Sequence, residues 1–343
     1  MAKKVLVAMS GGVDSSVATY MLKEGGYEVA GITMRLFDGG ENCLPDATAA
    51  AAALDIPHYV ADLSEIFDRE VMRRFVCGYE GGLTPNPCVD CNRYIKFGAL
   101  MAEAEKRGFD YLATGHYARV LYAEASKTYL LKKALDTTKD QSYVLYSLNQ
   151  QRLARVLFPL GGMSKPQVRQ IAEQQGLLNA DKSDSQDICF VPDGDYGAFI
   201  ENYRGGAYPQ GDFVNMDGKI LGRHRGLIYY TVGQRRGLGI AHTEPLYVLQ
   251  KNAENNTVVL GEEKQLYVER INVRAVSSSA ALLVGSIKAE VKTHYRQQPQ
   301  PALITFDGDS ASIAFDNPQR AVAAGQSAVF YDGDTVLGGG IIC

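Results

Sequence analysis

Apolar and polar positions along the first third of the chain alternate with the two periods of a mixed fold. Residues 3–9 form a short apolar run of buried-strand type, residues 14–24 have helical spacing closed by Gly25-Gly26, and residues 28–34 form a second strand-like run. Strand, helix and strand make a βαβ unit. Residues 111–114 repeat the apolar run ahead of a polar turn, Gly115-His116, which predicts an open parallel sheet with ligands at its carboxyl edge. Ser164 and Pro166 mark a helix start and Gly176 its end, and the alanine-rich stretch 47–53 reads as plain helix. Beyond Tyr203 the pattern changes to short alternating segments bounded by turn residues, at 257–260, 286–293 and 328–331. These predict compact β structure. The boundaries follow as an α/β domain over 1–204, a small β-rich domain over 205–269 and a third domain over 270–343.

Composition narrows this picture. A chain of 343 residues exceeds what one core usually organises, and 46% hydrophobic with 22% charged residues is a globular balance rather than a disordered one. No stretch approaches the roughly 20 apolar residues of a membrane helix, and Lys3-Lys4 leads straight into a strand rather than a signal peptide. The expected location is the cytoplasm, with no membrane partner. Six cysteines, unevenly spaced, are too few for a disulfide scaffold and point to reactive or metal-bound thiols. A net charge of -4 offers no overall attraction to a polyanion, so contact with nucleic acid must come from local clusters. Arg223, His224, Arg225, Arg235 and Arg236, with Tyr229 and Tyr230 between them, form such a run, although a solvated arginine face fits the same residues.

The sharpest motif is Ser10-Gly11-Gly12-Val13-Asp14-Ser15-Ser16, between the first strand and the first helix. Its glycines let backbone approach an anion, the helix start offers free N–H groups, and Ser10 and Ser15 add hydroxyls. No lysine follows the glycines, so it is not a Walker loop. Asp14 is the expected ligand of a Mg²⁺ ion carried with the phosphates. The loop resembles the signature of the ATP pyrophosphatases, which cleave ATP between the α and β phosphates. That resemblance implies ATP contacts by Ala8, Met9, Ser10, Gly11, Gly12, Val13, Asp14 and Ser15, with Met34 and Gly115 at the adenosine; ordinary core packing suits Met34 equally well.

A second cluster, Thr84-Pro85-Asn86-Pro87-Cys88-Val89-Asp90-Cys91-Asn92-Arg93, precedes Ile95-Lys96-Phe97. Its prolines predict an extended loop outside any helix. With Ser185-Gln186-Asp187-Ile188-Cys189-Phe190, the segment Thr114 to Arg119, Lys139-Asp140-Gln141 and the stretch 226–238, it resembles the tRNA-specific 2-thiouridylases almost end to end. The resemblance implies an adenine-nucleotide α-hydrolase-like parallel sheet, a small tRNA-contacting β-rich domain and a C-terminal β-barrel. It implies a tRNA-uridine 2-sulfurtransferase: ATP adenylates the 2-oxygen of the wobble uridine of Lys, Glu and Gln tRNAs, and sulfur displaces AMP. Cys91 matches the nucleophile and Cys189 the persulfide carrier. Asn86, Pro87 and Cys88 would line the extruded base, and Lys139, Asp140, Gln141, His116, Tyr295, Arg296 and Gln326 would touch tRNA. For His116, a strand-end histidine satisfied by backbone is the competing reading.

One position departs from a branch of that family, which carries Asp three residues before its nucleophile; here it is Cys88. Three uses of the thiols stay open: Cys88, Cys91 and Cys189 ligating a [4Fe-4S] cluster, a persulfide on Cys189 resolved by Cys91, or half a zinc site. The sulfur donor is equally open between a persulfide carrier, a cysteine desulfurase relay and sulfide. Cys43, Cys77 and Cys343 are expected to be small buried residues. The alternatives in function are another ATP pyrophosphatase of the amidotransferase or synthetase type, and a non-catalytic tRNA-binding sulfur carrier.

Overall fold

The computed structural model describes residues 2–37, 43–177, 188–279 and 283–343. Strands β1 (Lys4–Ala8), β2 (Glu28–Arg35), β3 (His58–Asp62), β4 (Tyr111–Ala113) and β7 (Val156–Leu157) form one parallel sheet in the order β3-β2-β1-β4-β7. Val5, Leu6 and Val7 have no exposure. A strand covered on both faces must be apolar throughout, which is why the run 3–9 carries no alternation. The strand order reverses between β1 and β4, and that switch point is where an open α/β sheet leaves a crevice for ligand.

Helix α1 (Val13–Glu24) follows β1 directly, and α2 (Leu44–Ala53) is the alanine-rich helix. The helix Lys165–Gln174 is capped by Ser164 through a reciprocal bond with Gln167. Four strands, β8 (Gly211–Val214), β9 (Ile220–His224), β10 (Tyr247–Asn252) and β11 (Thr257–Gly261), make the central sheet. Strands β12 (Tyr267–Ser278), β13 (Ser286–Lys292), β14 (Gln300–Asp307), β15 (Ser310–Arg320), β16 (Ser327–Asp332) and β17 (Thr335–Ile342) close into a barrel through pairing of β12 with β17. Ile271, Val273, Ile304, Ile313 and Phe330 fill it.

The sequence pattern did not separate one element from the first domain. The hairpin β5 (Ala118–Ala123) and β6 (Thr128–Lys133) leaves the parallel sheet and joins the barrel, β6 against β17. Asp334 fastens it, accepting from Arg119 at 2.9 Å and Lys132 at 2.8 Å. The barrel is thereby held against the segments that follow β4.

Candidate active site

The phosphate loop is shaped by backbone. Gly11 adopts φ +69°, and a Cβ there would stand 2.7 Å from Cβ of Asp46 and 2.8 Å from the Cys43 carbonyl, so α2 packs directly on the turn. Gly12 caps α1 in an extended conformation and no side chain caps the helix, which leaves its first-turn N–H groups facing the loop. Ser15, expected to offer a hydroxyl, donates instead to the Gly12 carbonyl at 3.0 Å and accepts from Ser10 N at 3.2 Å. Ser10 is exposed. Ala8, Met9 and Val13 sit around the loop as β1 and α1 require, and Met34 is half-buried at the end of β2, against the apolar core.

Asp14 is not an isolated carboxylate. Lys165 donates to both its oxygens, at 2.8 and 2.9 Å, and Tyr117 donates to Oδ1 at 2.8 Å. Lys165 is 7% exposed. Sequence reading saw it only as a helix start, because 151 residues separate it from Asp14. Its adjacency to Pro166, which begins a helix aimed at the loop, was the available signal.

The cysteine segment departs from the expected extended loop. Asn86 caps a short helix, Pro87–Asp90, accepting from Cys88 N at 3.1 Å and Val89 N at 3.4 Å. Pro87 starts this helix because a first-turn residue needs no N–H partner. A π-helix, Cys91–Ala99, continues it. Bonding five residues back stacks Lys96 one turn above Cys91, whereas in an α-helix the two would point apart. The Lys96 ammonium donates to Nε2 of His116 at 3.3 Å, and His116 Nδ1 bonds Thr114 Oγ1 at 2.7 Å. His116 is 7% exposed and burial holds its pKa well below the ordinary range, so the ring is neutral; accepting at Nε2, it carries its proton on Nδ1. This histidine, expected at the nucleic acid, is buried beside Lys96.

The turn 114–116 joins both halves. A Cβ on Gly115 would lie 2.9 Å from the Asp14 carbonyl carbon, so Gly115 presses on the phosphate loop, while its neighbour His116 touches Lys96. Cys88 and Cys189 are exposed and Cys91 is half-buried. The three thiols act on one another: burial first, then Cys189, Cys88 and Asp90 raise Cys91 to about 12 against the opposing pull of Lys96. Cys88 and Cys189 are raised as well, mainly because protein crowds the thiols although each residue as a whole is exposed, and Lys96 again opposes the shift. Beside them the Asp90 carboxyl is raised to about 6, by burial against the nearby Arg74 and Arg93.

From the barrel, Tyr295 reaches this site: its hydroxyl donates to the Asp140 carbonyl at 3.1 Å and its ring lies in electrostatic range of Cys88. Gln326 donates to the Thr84 carbonyl at 2.8 Å, just before Asn86. Lys139, Asp140 and Gln141 adjoin them; the Asp140 carboxylate is spent on its own turn, accepting from Ala134 N and Ser142, and Gln141 accepts from Tyr117 N. Arg296 is exposed beside Tyr295.

Other expectations fail. Cys77 and Cys343 are exposed and Cys43 half-buried, since the segments carrying them lie at the surface or at a helix start. The basic run is divided: His224 and Tyr230 are core residues, Arg223 pairs with Asp212 at 3.1 Å, and Arg225 stacks on Tyr229 at 3.8 Å. Arg235 and Arg236 remain exposed. Among the described residues no three His, Cys, Asp or Glu side chains converge as a metal site. Residues 185–187 of the Cys189 segment lie outside the described residues. No described helix is long and apolar enough to cross a membrane.

Comparison with known proteins decides the family. Residues 3–193 match the model of the tRNA methyl transferase HUP domain, 197–262 its PRC-barrel domain and 263–342 the aminomethyltransferase β-barrel domain. The tRNA-specific 2-thiouridylase MnmA of Acetivibrio thermocellus is 46% identical, covering 99% of both chains. The chain belongs to the tRNA-specific 2-thiouridylase family. The 2-thiouridylases of Carboxydothermus hydrogenoformans, at 45% identity over 99% of this chain and 97% of that one, and of Clostridioides difficile, at 43% over 100% and 98%, agree along the full length. A 4-thiouridine synthetase in complex with RNA and ATP aligns with 59% of this chain and 50% of its own at 19% identity and a TM-score of 0.39. Membership accounts for the three-domain order and leaves no room for an amidotransferase-type synthetase. In a 2-thiouridylase the shared wall at 114–116 acquires a purpose, since nucleotide and sulfur chemistry must meet at one base.

Proposed function

We propose that this protein is an ATP-dependent tRNA-uridine 2-sulfurtransferase acting on the wobble uridine of Lys, Glu and Gln tRNAs. The observation that carries this reading is the run of contacts from Asp14 through Gly115 and His116 to Lys96, whose charge acts on Cys91 from the same π-helix, so that the phosphate loop and the thiols share one wall. The turn at Gly11 and the N-terminus of α1 hold the phosphates, with Lys165 beside Asp14 to neutralise them. The uracil 2-oxygen attacks the α-phosphorus, pyrophosphate leaves, and the adenylated oxygen becomes a good leaving group. Asn86, Pro87 and Cys88 form one side of the base pocket and Tyr295, Arg296 and Gln326 of the barrel the other, with Lys139, Asp140 and Gln141 at its edge. His116 contributes through Lys96 rather than by touching RNA.

Sulfur transfer runs through the thiols. A terminal sulfur on Cys189 attacks C2, AMP departs with the oxygen, and the Cys91 thiol, giving up its proton to the departing AMP or to water, attacks the Cys189 sulfur, releasing 2-thiouridine and leaving a Cys91–Cys189 disulfide. A dithiol reductant then supplies two electrons, and a persulfide donor reloads Cys189. Exposure of Cys189 suits reception of sulfur from another protein; the half-buried Cys91 suits an internal resolving role. Thiolate ligands suit an iron–sulfur cluster chemically, but among the described residues no three such side chains are arranged to hold a metal ion, and the route above runs on the thiols alone. Asp14 accommodates Mg²⁺ only once Lys165 turns away.

The test is to incubate the protein with ATP, Mg²⁺, unmodified tRNA, a persulfide donor and a dithiol reductant, then digest the RNA and separate the nucleosides. Accumulating 2-thiouridine with one pyrophosphate per sulfur is the expected outcome. Pyrophosphate release indifferent to tRNA, with no thiolated nucleoside, would overturn the reading.

A further inference from the structure

An ammonium sits at the thiol site to which the reaction above assigns no chemical step. Lys96 shares a face of the π-helix with Cys91, is half-buried, and has its free rotation removed by His116, whose other nitrogen is tied to the buried Thr114. The neutral imidazole has spent its proton on Thr114, so it accepts one Lys96 hydrogen without cancelling the charge. Phe97 and Phe158 flank that ring at centroid distances of 5.9 Å. A cation so placed costs desolvation and persists where it meets an anion.

We propose that Lys96 is the cation of the sulfur-transfer half-reaction, neutralising the anionic sulfur as it bonds to C2 of the adenylated uracil, with His116 and Thr114 as its positioning residues. In that step the sulfur–carbon bond forms, the carbon–oxygen bond breaks and AMP carries the oxygen away. The need for a cation is the same whether the sulfur arrives as a persulfide or as sulfide. Apart from the solvent-exposed Arg296 beside Tyr295, the other charged and titratable groups facing the thiols are Asp90 from the same helical segment and Tyr295 from the barrel. Neither supplies positive charge. All three thiols feel Lys96, and it opposes the cost of making each of them anionic.

Adenylation needs charge at the phosphates, where Lys165 stands, whereas sulfur attack needs it at the thiols. The two half-reactions therefore separate the roles. In Lys96→Gln, tRNA-dependent pyrophosphate release in a single turnover should stay within threefold of wild type while thiouridine formation falls by about 10²-fold, the scale of one lost electrostatic contact to a transition state. Lys96→Arg keeps the charge and should recover most of that loss. A parallel fall in both half-reactions, or thiolation by Lys96→Gln at the wild-type rate, would overturn the proposal. Should Lys96→Gln fail to fold, Thr114→Val leaves the ammonium in place but frees the His116 ring; it should slow thiolation alone, and equal slowing of pyrophosphate release would again overturn it. The proposal rests on the thiolation reading, and the failures are distinguishable: a wild-type protein without tRNA-dependent pyrophosphate release sinks that reading, not the role of Lys96.

Discussion

At the phosphate loop each position is set within a few residues of chain or by one neighbouring helix: Gly11 turns the backbone, Gly12 opens α1, and α2 closes against both. The thiol pocket has no such local origin. Its parts come from the segment after Gly82, the turn after β4, the Cys189 segment and two loops of the barrel, and its shape depends on contacts between domains. Yet the two regions use one device, a glycine at positive φ pressed by a foreign backbone. Gly325, at φ +91°, faces Leu83 Cβ and Thr84 N, each 2.9 Å from where its Cβ would be. One glycine serves a turn; the other serves a junction.

Substituting each glycine separates the regions. Gly11→Ala combines a strained φ with a clash against Asp46 and Cys43, together about 3 kcal/mol, which converts to about 10²-fold weaker ATP binding. Equilibrium nucleotide binding measures it, and wild-type affinity would show that the turn tolerates a side chain. Gly325→Ala should leave ATP affinity alone. It pushes the barrel from Thr84, which is held by Ala324 O at 2.8 Å and Gln326 at 2.8 Å, and so displaces Asn86 to Cys88. Thiolation should fall by about 10-fold, equivalent to about 1.4 kcal/mol. If nucleotide affinity fell equally, the regions would be one mechanical unit.

This difference explains what could be read from the sequence. Strand β1, helix α1 and the loop between them follow from local chemistry, whereas Gly115 was singled out only through the family resemblance, and its close approach to the Asp14 backbone comes from the fold. The pairing of Lys165 with Asp14 was not, because no local rule reaches across 151 residues. Lys96 was visible as a letter in Ile95-Lys96-Phe97 but not as a neighbour of Cys91, since a spacing of five shares a face only when the helix is π. Pro87 misled for a related reason: proline breaks a helix interior but starts a helix well. The expected basic surface shrank because His224 and Tyr230 were needed for a small core.

The smallest effect concerns the third contact on the same junction. Lys251 of β10 is 8% exposed, donates to the Leu83 carbonyl at 2.9 Å and lies 5.0 Å from the Tyr79 ring centre. Burial lowers its pKa to about 8 from an ordinary 10.5, so between those values the unfolded chain binds a proton that the folded one has released. Stability from this group therefore rises as pH rises through that window and is lower on the acid side, where an ammonium must be kept dry. Between pH 7 and pH 9 the gain is about 1 kcal/mol for wild type. Lys251→Met keeps the length and the packing on Tyr79 but has nothing to titrate. Urea midpoints at the two pH values should move apart for wild type relative to the variant, with wild type gaining at the higher pH. An identical pH response would mean that Lys251 keeps its proton at ordinary cost, and that the junction above Thr84 is wet rather than closed.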